Sequence, residues 1–410
     1  MAVEKSGQAE AILAQLTGID RGQVDPSEAL DFWTMGNERV ADSPITVFLS
    51  PASIEEFKIN GAKIGEGDLA QFGWFGEDMA VVPRVVYQDG ATVAKLEIEG
   101  LTEKLQGRGV NLIVSIDDEN VLGAVLGAAR WMKEVNRASS VTVIASRLCG
   151  LRQDGIFESN DKIVPEPPTA YEVIDRIAST ELKGGGDVID KLIVGEAHSG
   201  EAFEYANWLG LQMIGLTGYK WAADQLGYKE FKELPEEIRK RFRVAAPDKN
   251  RHQTANSFAD ELGLEVIQCK KCRDKFTGEL SVENGEQMEK ELEGVEEIFM
   301  FDDEIQTGST SKLILDLSLK LGIKVTVIAM HANFVGNSLE NLNHPALKEL
   351  VVTDAMMPPQ LIRFLDQAQN INVRILQTGD SLARVGDYLW KGDVRGELPD
   401  GWKLDPWFRV

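Results

Sequence analysis

The chain has 410 residues, 43% of them hydrophobic, enough to bury a large core and, at ordinary domain sizes, to form two or three domains. Its 66 acidic and 43 basic side chains leave a formal net charge of −23, which argues against nucleic-acid binding and for a solvated acidic surface. Three cysteines rule out a disulfide framework, no apolar run approaches the roughly 20 residues that span a bilayer, and Met1–Glu10 lacks the apolar core of a signal peptide. The expectation is a soluble, cytoplasmic protein with neither a membrane nor a nucleic-acid partner.

Residues 1–45 mix a short amphipathic stretch (Ala11–Leu16) with polar and turn residues, and read as an appendage. Beyond them, short apolar runs recur at Val110–Ile116, Val141–Ala145, Lys191–Val194, Phe242–Ala246, Leu264–Ile267, Glu297–Phe301, Val325–Ala329, Glu349–Val352 and Val373–Leu376. Most are continuously apolar, the pattern of strands covered on both faces. Amphipathic helices lie between them: Val121, Leu122, Val125, Leu126, Ala129 and Met132 mark one apolar face, and Leu313, Ile314, Leu317 and Leu321 another. Strands alternating with such helices predict βαβ units and parallel sheets. Nine such strands exceed one short doubly wound sheet, so two α/β domains are expected, at 46–210 and 211–375, divided somewhere between Phe203 and Leu226. Residues 376–410 read as a C-terminal helix and tail packing on the N-terminal domain.

Three segments break the rhythm: Leu151–Pro168, Cys269–Asn284 and Asn333–Pro345. Ligands of open α/β sheets bind beyond the carboxyl ends of strands, so such loops are where chemistry belongs. The charged Cys269–Asn284 loop lacks an apolar anchor before Phe276 and is expected to be mobile without ligands. Its Cys269-Lys270-Lys271-Cys272 has no second pair to complete the roughly four ligands of a zinc site, nor a thioredoxin-like context.

The clearest chemical string runs from Glu297 to Ser311. An apolar strand leads into Asp302-Asp303, then Gln306-Thr307-Gly308-Ser309-Thr310, then a helix. Gly308 lets the backbone approach a phosphate, toward which the following helix N-terminus turns its amides. The hydroxyls of Thr307, Ser309 and Thr310 add donors, and the paired acids are suited to ribose hydroxyls.

This string resembles the phosphoribosyl-binding signature of the type I phosphoribosyltransferase fold. The rest of the chain narrows the likeness to the ribose-phosphate pyrophosphokinases (phosphoribosyl pyrophosphate synthetases). Leu151-Arg152-Gln153-Asp154 is similar to their Tyr-Ala-Arg-Gln-Asp loop, and Tyr87-Gln88-Asp89-Gly90 to their Phe-Ser-Asp-Gly-Glu segment. Glu196-Ala197-His198-Ser199 is similar to their Asp-Leu-His-Ala, and Ala246-Pro247-Asp248 to their Ser-Pro-Asp. Ala329-Met330-His331, followed by Phe334, Gly336-Asn337 and Asn341-Leu342, is similar to their Ala-Thr-His segment with its Ser-Gly-Asn.

The resemblance implies two type I phosphoribosyltransferase-like domains, each a mostly parallel sheet flanked by helices. It implies transfer of the diphosphoryl group of ATP to ribose 5-phosphate with Mg2+, in a homo-oligomer assembled from dimers, up to a hexamer. Lys271 and Arg273 would then neutralise the transferring group from the family's mobile loop, since both side chains suit phosphate oxygens. Arg152, Gln153 and Asp154 would hold ATP, with Tyr87 and Asp89 reaching the adenine from a neighbouring subunit. His198 and Asp248 would be magnesium ligands. Asp302, Asp303, Gln306, Thr307, Gly308, Ser309 and Thr310 would hold the ribose phosphate.

The chain also departs from the pattern. Gln306 stands where an acid is expected, Asn250-Arg251 where the family has Gly-Gly, Ala91 where it has an adenine-contacting Glu, and Gly155 where it has a basic residue. These changes touch both substrate sites and keep two other readings open. One is a non-catalytic or regulatory homologue that binds nucleotide or sugar phosphate. The other is a phosphoribosyltransferase, which Asp302–Thr310 alone would serve.

Overall fold

The computed structural model describes residues 44–49, 73–75, 79–82, 84–86, 92–94, 96, 100–151, 157–159, 162–164, 169–197, 200–246, 252–268, 271–273, 280–282, 285–353, 355, 364–365, 367–368, 370–376, 378–390 and 397–405. Two compact units result: one runs up to Thr217 and resumes at Thr378, the other spans Gly218–Gln377. Strands are numbered β1–β20 in chain order.

The first unit is built on an eight-stranded sheet of β1 (Ile45–Leu49), β2 (Gly73–Phe75), β3 (Met79–Val82), β6 (Gly109–Ile116), β7 (Ser140–Leu148), β10 (Lys191–Gly195), β11 (Met213–Thr217) and β20 (Lys403–Leu404). Their order is β2-β3-β1-β6-β7-β10-β11-β20, parallel throughout except at the two edges, where β2 and β20 pair antiparallel. The antiparallel ribbons β4 (Arg84–Val86) with β5 (Thr92–Ala94), and β8 (Phe157–Ser159) with β9 (Lys162–Val164), stand outside it. All eight residues of β6 are buried, as a strand covered on both faces requires. The helix Glu119–Glu134 makes the crossover from β6 to β7; Asp118 caps it by accepting from the Val121 amide at 2.9 Å. All six of its expected apolar-face residues, from Val121 to Met132, are buried.

Five strands of this sheet, β1, β2, β3, β11 and β20, lie outside the apolar runs read from the sequence. Residues 213–217 lie in the Gly-rich, aromatic stretch between the two halves, yet form the fully buried β11. β20 has only two residues, too few for any periodicity, and exists because Lys403 and Leu404 pair with Thr217 and Leu216. The C-terminal helix Gly379–Trp390 lies against β6 and β7. Asn111 donates to Asp387 Oδ1 at 3.0 Å, Lys191 to the Leu389 carbonyl at 3.1 Å, and the buried Trp402 indole to Ser381 Oγ at 2.7 Å.

The second unit is a fully parallel six-stranded sheet of β12 (Phe242–Ala246), β13 (Glu265–Gln268), β16 (Glu297–Ile305), β17 (Lys324–Ala332), β18 (Leu347–Thr353) and β19 (Val373–Leu376). Its order is β13-β12-β16-β17-β18-β19. A short ribbon of β14 (Lys271–Arg273) and β15 (Leu280–Val282) follows β13. An aromatic cluster of Tyr228, Phe231, Phe242 and Phe299 fills one part of the interior, with Phe231 meeting Phe242 edge-on at 5.0 Å.

The helix Ser309–Leu321 buries Ser311, Ile314, Leu315, Leu317 and Ser318. The expected face included Leu321, which instead is 37% exposed. The stripe is set by spacings of three and four from Ser311, whereas Leu321 sits in the last turn, before the chain reverses at Gly322 with φ +72°. Among the described residues no helix is long and apolar enough to cross a membrane.

Candidate functional site

β16 carries Asp302 and Asp303 near its carboxyl end, half-buried and buried respectively. Successive strand residues face opposite sides of a sheet, so only a ligand lying across the sheet edge can meet both acids. The Asp302 carboxylate also accepts from the Asp303 amide at 2.9 Å.

The chain then turns through Gln306, Thr307 and Gly308 into the helix Ser309–Leu321. Gly308 is the residue before the helix, in the left-handed region at φ +69°, a conformation that costs other residues strain. A Cβ there would lie 3.1 Å from Leu342 Cγ, so the backbone also runs close to the neighbouring segment. Thr307 Oγ1 and Ser309 Oγ share a hydrogen bond at 3.0 Å, and Thr307 Oγ1 accepts weakly from the Ser309 amide at 3.4 Å. Thr307 is exposed; Ser309 and Thr310 are half-buried. Glycine, hydroxyls and first-turn amides thus converge at the carboxyl edge of a parallel sheet, an arrangement that can receive a phosphate.

A second segment, after β17, holds this loop in place. The Val335 amide donates to the Gln306 carbonyl at 3.1 Å, and Asn341 Nδ2 to the Thr307 carbonyl at 2.8 Å. Phe334 anchors the segment by stacking on Phe364, both buried, with ring centroids 4.0 Å apart. Glu304 was not singled out in the sequence. Asn333 opens a loop recognised as a ligand candidate and Asn341 belongs to the resemblance, but only the fold brings Asn333 to Glu304 and Asn341 to Thr307.

β14 places Lys271 and Arg273 two residues apart, opposite Val282 and Leu280. β15 runs near the helix Ser309–Leu321.

In the first unit, Glu196 and Ala197 follow β10. Glu196 adopts φ +50°, unusual for a residue with a side chain, and its carboxylate accepts from Thr217 Oγ1 at 3.2 Å. Nearby strand ends carry Asp117, which accepts from Ser115 Oγ at 2.6 Å and faces Arg147 at 3.7 Å. Burial pushes the Cys149 thiol up to about 11 despite the opposing pull of Arg147, which removes it from the reactive range.

Tyr87, Asp89, Arg152, Gln153, Asp154, His198 and Asp248 lie outside the described residues, as do Cys269 and the side chains of Lys271 and Arg273. Among the described residues no group of three or more His, Cys, Asp or Glu side chains is placed to hold a metal ion.

No protein-family profile matches the chain. It is 28% identical over 239 residues to a ribose-phosphate pyrophosphokinase of Sulfurisphaera tokodaii, covering 58% of this chain and 73% of that protein. It is 26% identical over 305 residues to that of Sulfolobus acidocaldarius, covering 73% and 89%. The fold superposes on the crystal structure of phosphoribosylpyrophosphate synthetase from Mycobacterium smegmatis with a TM-score of 0.59, at 17% identity, over 85% of this chain and 100% of that one. Two mostly parallel sheets flanked by helices, the glycine turn at the end of β16 and these likenesses together make the chain a divergent relative of the ribose-phosphate pyrophosphokinases.

Proposed function

We propose that the protein transfers the diphosphoryl group of ATP to ribose 5-phosphate, giving phosphoribosyl pyrophosphate and AMP. The observation that carries this reading is the turn at Gly308, with Thr307 and Ser309 hydroxyls at the head of a helix, in a chain whose relatives bear the synthetase name. The ribose C1 oxygen attacks the β-phosphorus of ATP, the bond from that phosphorus to the α,β-bridging oxygen breaks, AMP departs, and the C1 hydroxyl proton passes to solvent. Such a reaction is chiefly positioning and neutralisation of charge. Thr307, Gly308, Ser309 and Thr310 hold the 5-phosphate, Asp302 and Asp303 address ribose hydroxyls, and Lys271 and Arg273 supply positive charge to the transferring group. Arg152, Gln153 and Asp154 bind ATP, with Tyr87 and Asp89 from a neighbouring subunit of a cytoplasmic homo-oligomer. Magnesium, a hard cation that prefers oxygen ligands and phosphates, would neutralise the diphosphoryl group, with His198 and Asp248 as its protein-side candidates.

The substitutions at Gln306, Asn250-Arg251 and Ala91 support a second reading, a regulatory homologue that binds the same ligands without turnover. Incubation with ATP, Mg2+ and ribose 5-phosphate separates the two. The expected result is AMP and phosphoribosyl pyrophosphate in equal amounts; ATP binding without AMP release would favour the regulatory protein.

A further inference from the structure

Next to the proposed phosphate loop lies a polar cluster centred on Glu304, to which none of the roles above assigns a part. Glu304, on β16, is 6% exposed, and its register partner on β17 is the buried His331. Glu304 Oε1 accepts from Gln306 Nε2 and from Asn333 Nδ2, each at 3.0 Å. A carboxylate offers only acceptors, so it dictates which way each amide is turned: the NH2 groups face Glu304, and the amide oxygens are the ends left over. Gln306 is doubly constrained, because its backbone carbonyl is also held by the Val335 amide. Among the described residues, Gln306 Oε1 accepts no hydrogen bond.

We propose that Glu304 is a positioning residue that fixes Gln306 as a neutral hydrogen-bond acceptor at the ribose end of the phosphate loop, so that the site selects a sugar phosphate through a donating hydroxyl. The inference rests on the sugar-phosphate reading of this loop. The chemistry differs from that of an acid at position 306. A carboxylate there would place a second full negative charge next to the bound phosphate and would draw a cation to balance it. An amide oxygen accepts from a hydroxyl without either consequence. The negative charge lies instead at the buried Glu304, where two N–H donors engage it.

Calorimetry with two probes tests this: ribose 5-phosphate, which has hydroxyls, and inorganic phosphate, which engages only the loop amides and hydroxyls. Gln306→Ala is expected to weaken ribose 5-phosphate about tenfold, the scale of one hydrogen bond, while leaving inorganic phosphate within about twofold. Glu304→Gln, which can donate as well as accept and so releases the orientation of Gln306, is expected to reproduce that selective loss. The double variant should be no weaker than Gln306→Ala alone, since Glu304 acts through Gln306. Equal losses for both probes, or unchanged ribose 5-phosphate affinity in Gln306→Ala, would overturn the proposal. Where Glu304→Gln does not fold, Gln306→Ala still tests the acceptor, because Gln306 is only half-buried, and Asn333→Ala, which leaves Glu304 and Gln306 paired, is expected to keep the wild-type preference for ribose 5-phosphate; its loss would overturn the assignment to Glu304. Wild-type protein that binds neither probe would sink the phosphate-loop reading itself, a result distinct from the selective pattern above and fatal to both.

Discussion

Gly308 carries two constraints at once, a left-handed backbone and a close approach to Leu342, and each has a separable consequence. Gly308→Ala is expected to cost about 1–2 kcal/mol of stability from the backbone conformation, read as a lower urea midpoint. It should also weaken ribose 5-phosphate by roughly tenfold or more as the loop shifts to relieve the Cβ contact. A variant of unchanged stability would mean that the turn is not left-handed in solution. On the proposed diphosphoryl transfer, Arg273 makes the contrasting case, a charge whose value would lie in the transition state. Arg273→Ala is expected to lower turnover by ~10²–10³ while ATP affinity changes less than ~10-fold. Robust activity untouched by the substitution would place the catalytic charge on another loop.

Among the elements, the C-terminal helix Gly379–Trp390 depends on a glycine at its contact face. A Cβ on Gly386 would lie 2.4 Å from Ile144 Cδ1 and 2.8 Å from Asn111 Nδ2, so the helix can seat only where no side chain intervenes. Alanine would recover up to about 1 kcal/mol of helix propensity, which partly masks the clash, so leucine is the cleaner probe. Gly386→Leu is expected to destabilise the first unit by about 1–3 kcal/mol or more, and to expose the Trp402 indole, seen as a red-shifted fluorescence maximum. The helix and strand rhythm itself was legible. All nine apolar runs read as strands are strands; the inner ones are largely buried on both faces of a parallel sheet, while the edge strands β13 and β19 remain half-buried or partly exposed. β1, β2, β3, β11 and β20 were not read; β2 and β20, at three and two residues, are too short for a periodicity and are specified by their partners.

At the scale of the whole molecule, each unit closes a core on its own sheet. Leu122 belongs to the core of the first, and Leu350 to that of the second; both are fully buried. Truncating either to alanine is expected to cost about 2–5 kcal/mol. Hydrogen exchange should quicken mainly in the strands of the unit that carries the substitution. Equal acceleration in both units after either substitution would show that they unfold as one.

Residue order alone determined the α/β class, the parallel sheets and the strand–turn–helix string from Asp302 to Thr310, because periodicity, turn residues and helix starts act over a few neighbouring positions. Only the tertiary structure could join Glu304 to Asn333, 29 positions apart, or Thr307 to Asn341, 34 apart. Those contacts depend on the pairing of β16 with β17 and on the turn that follows. The sequence therefore shows the strand, the glycine turn and the helix start, whereas the fold decides how the polar groups around that turn pair: the Glu304 carboxylate is buried and accepts from the amides of Gln306 and Asn333.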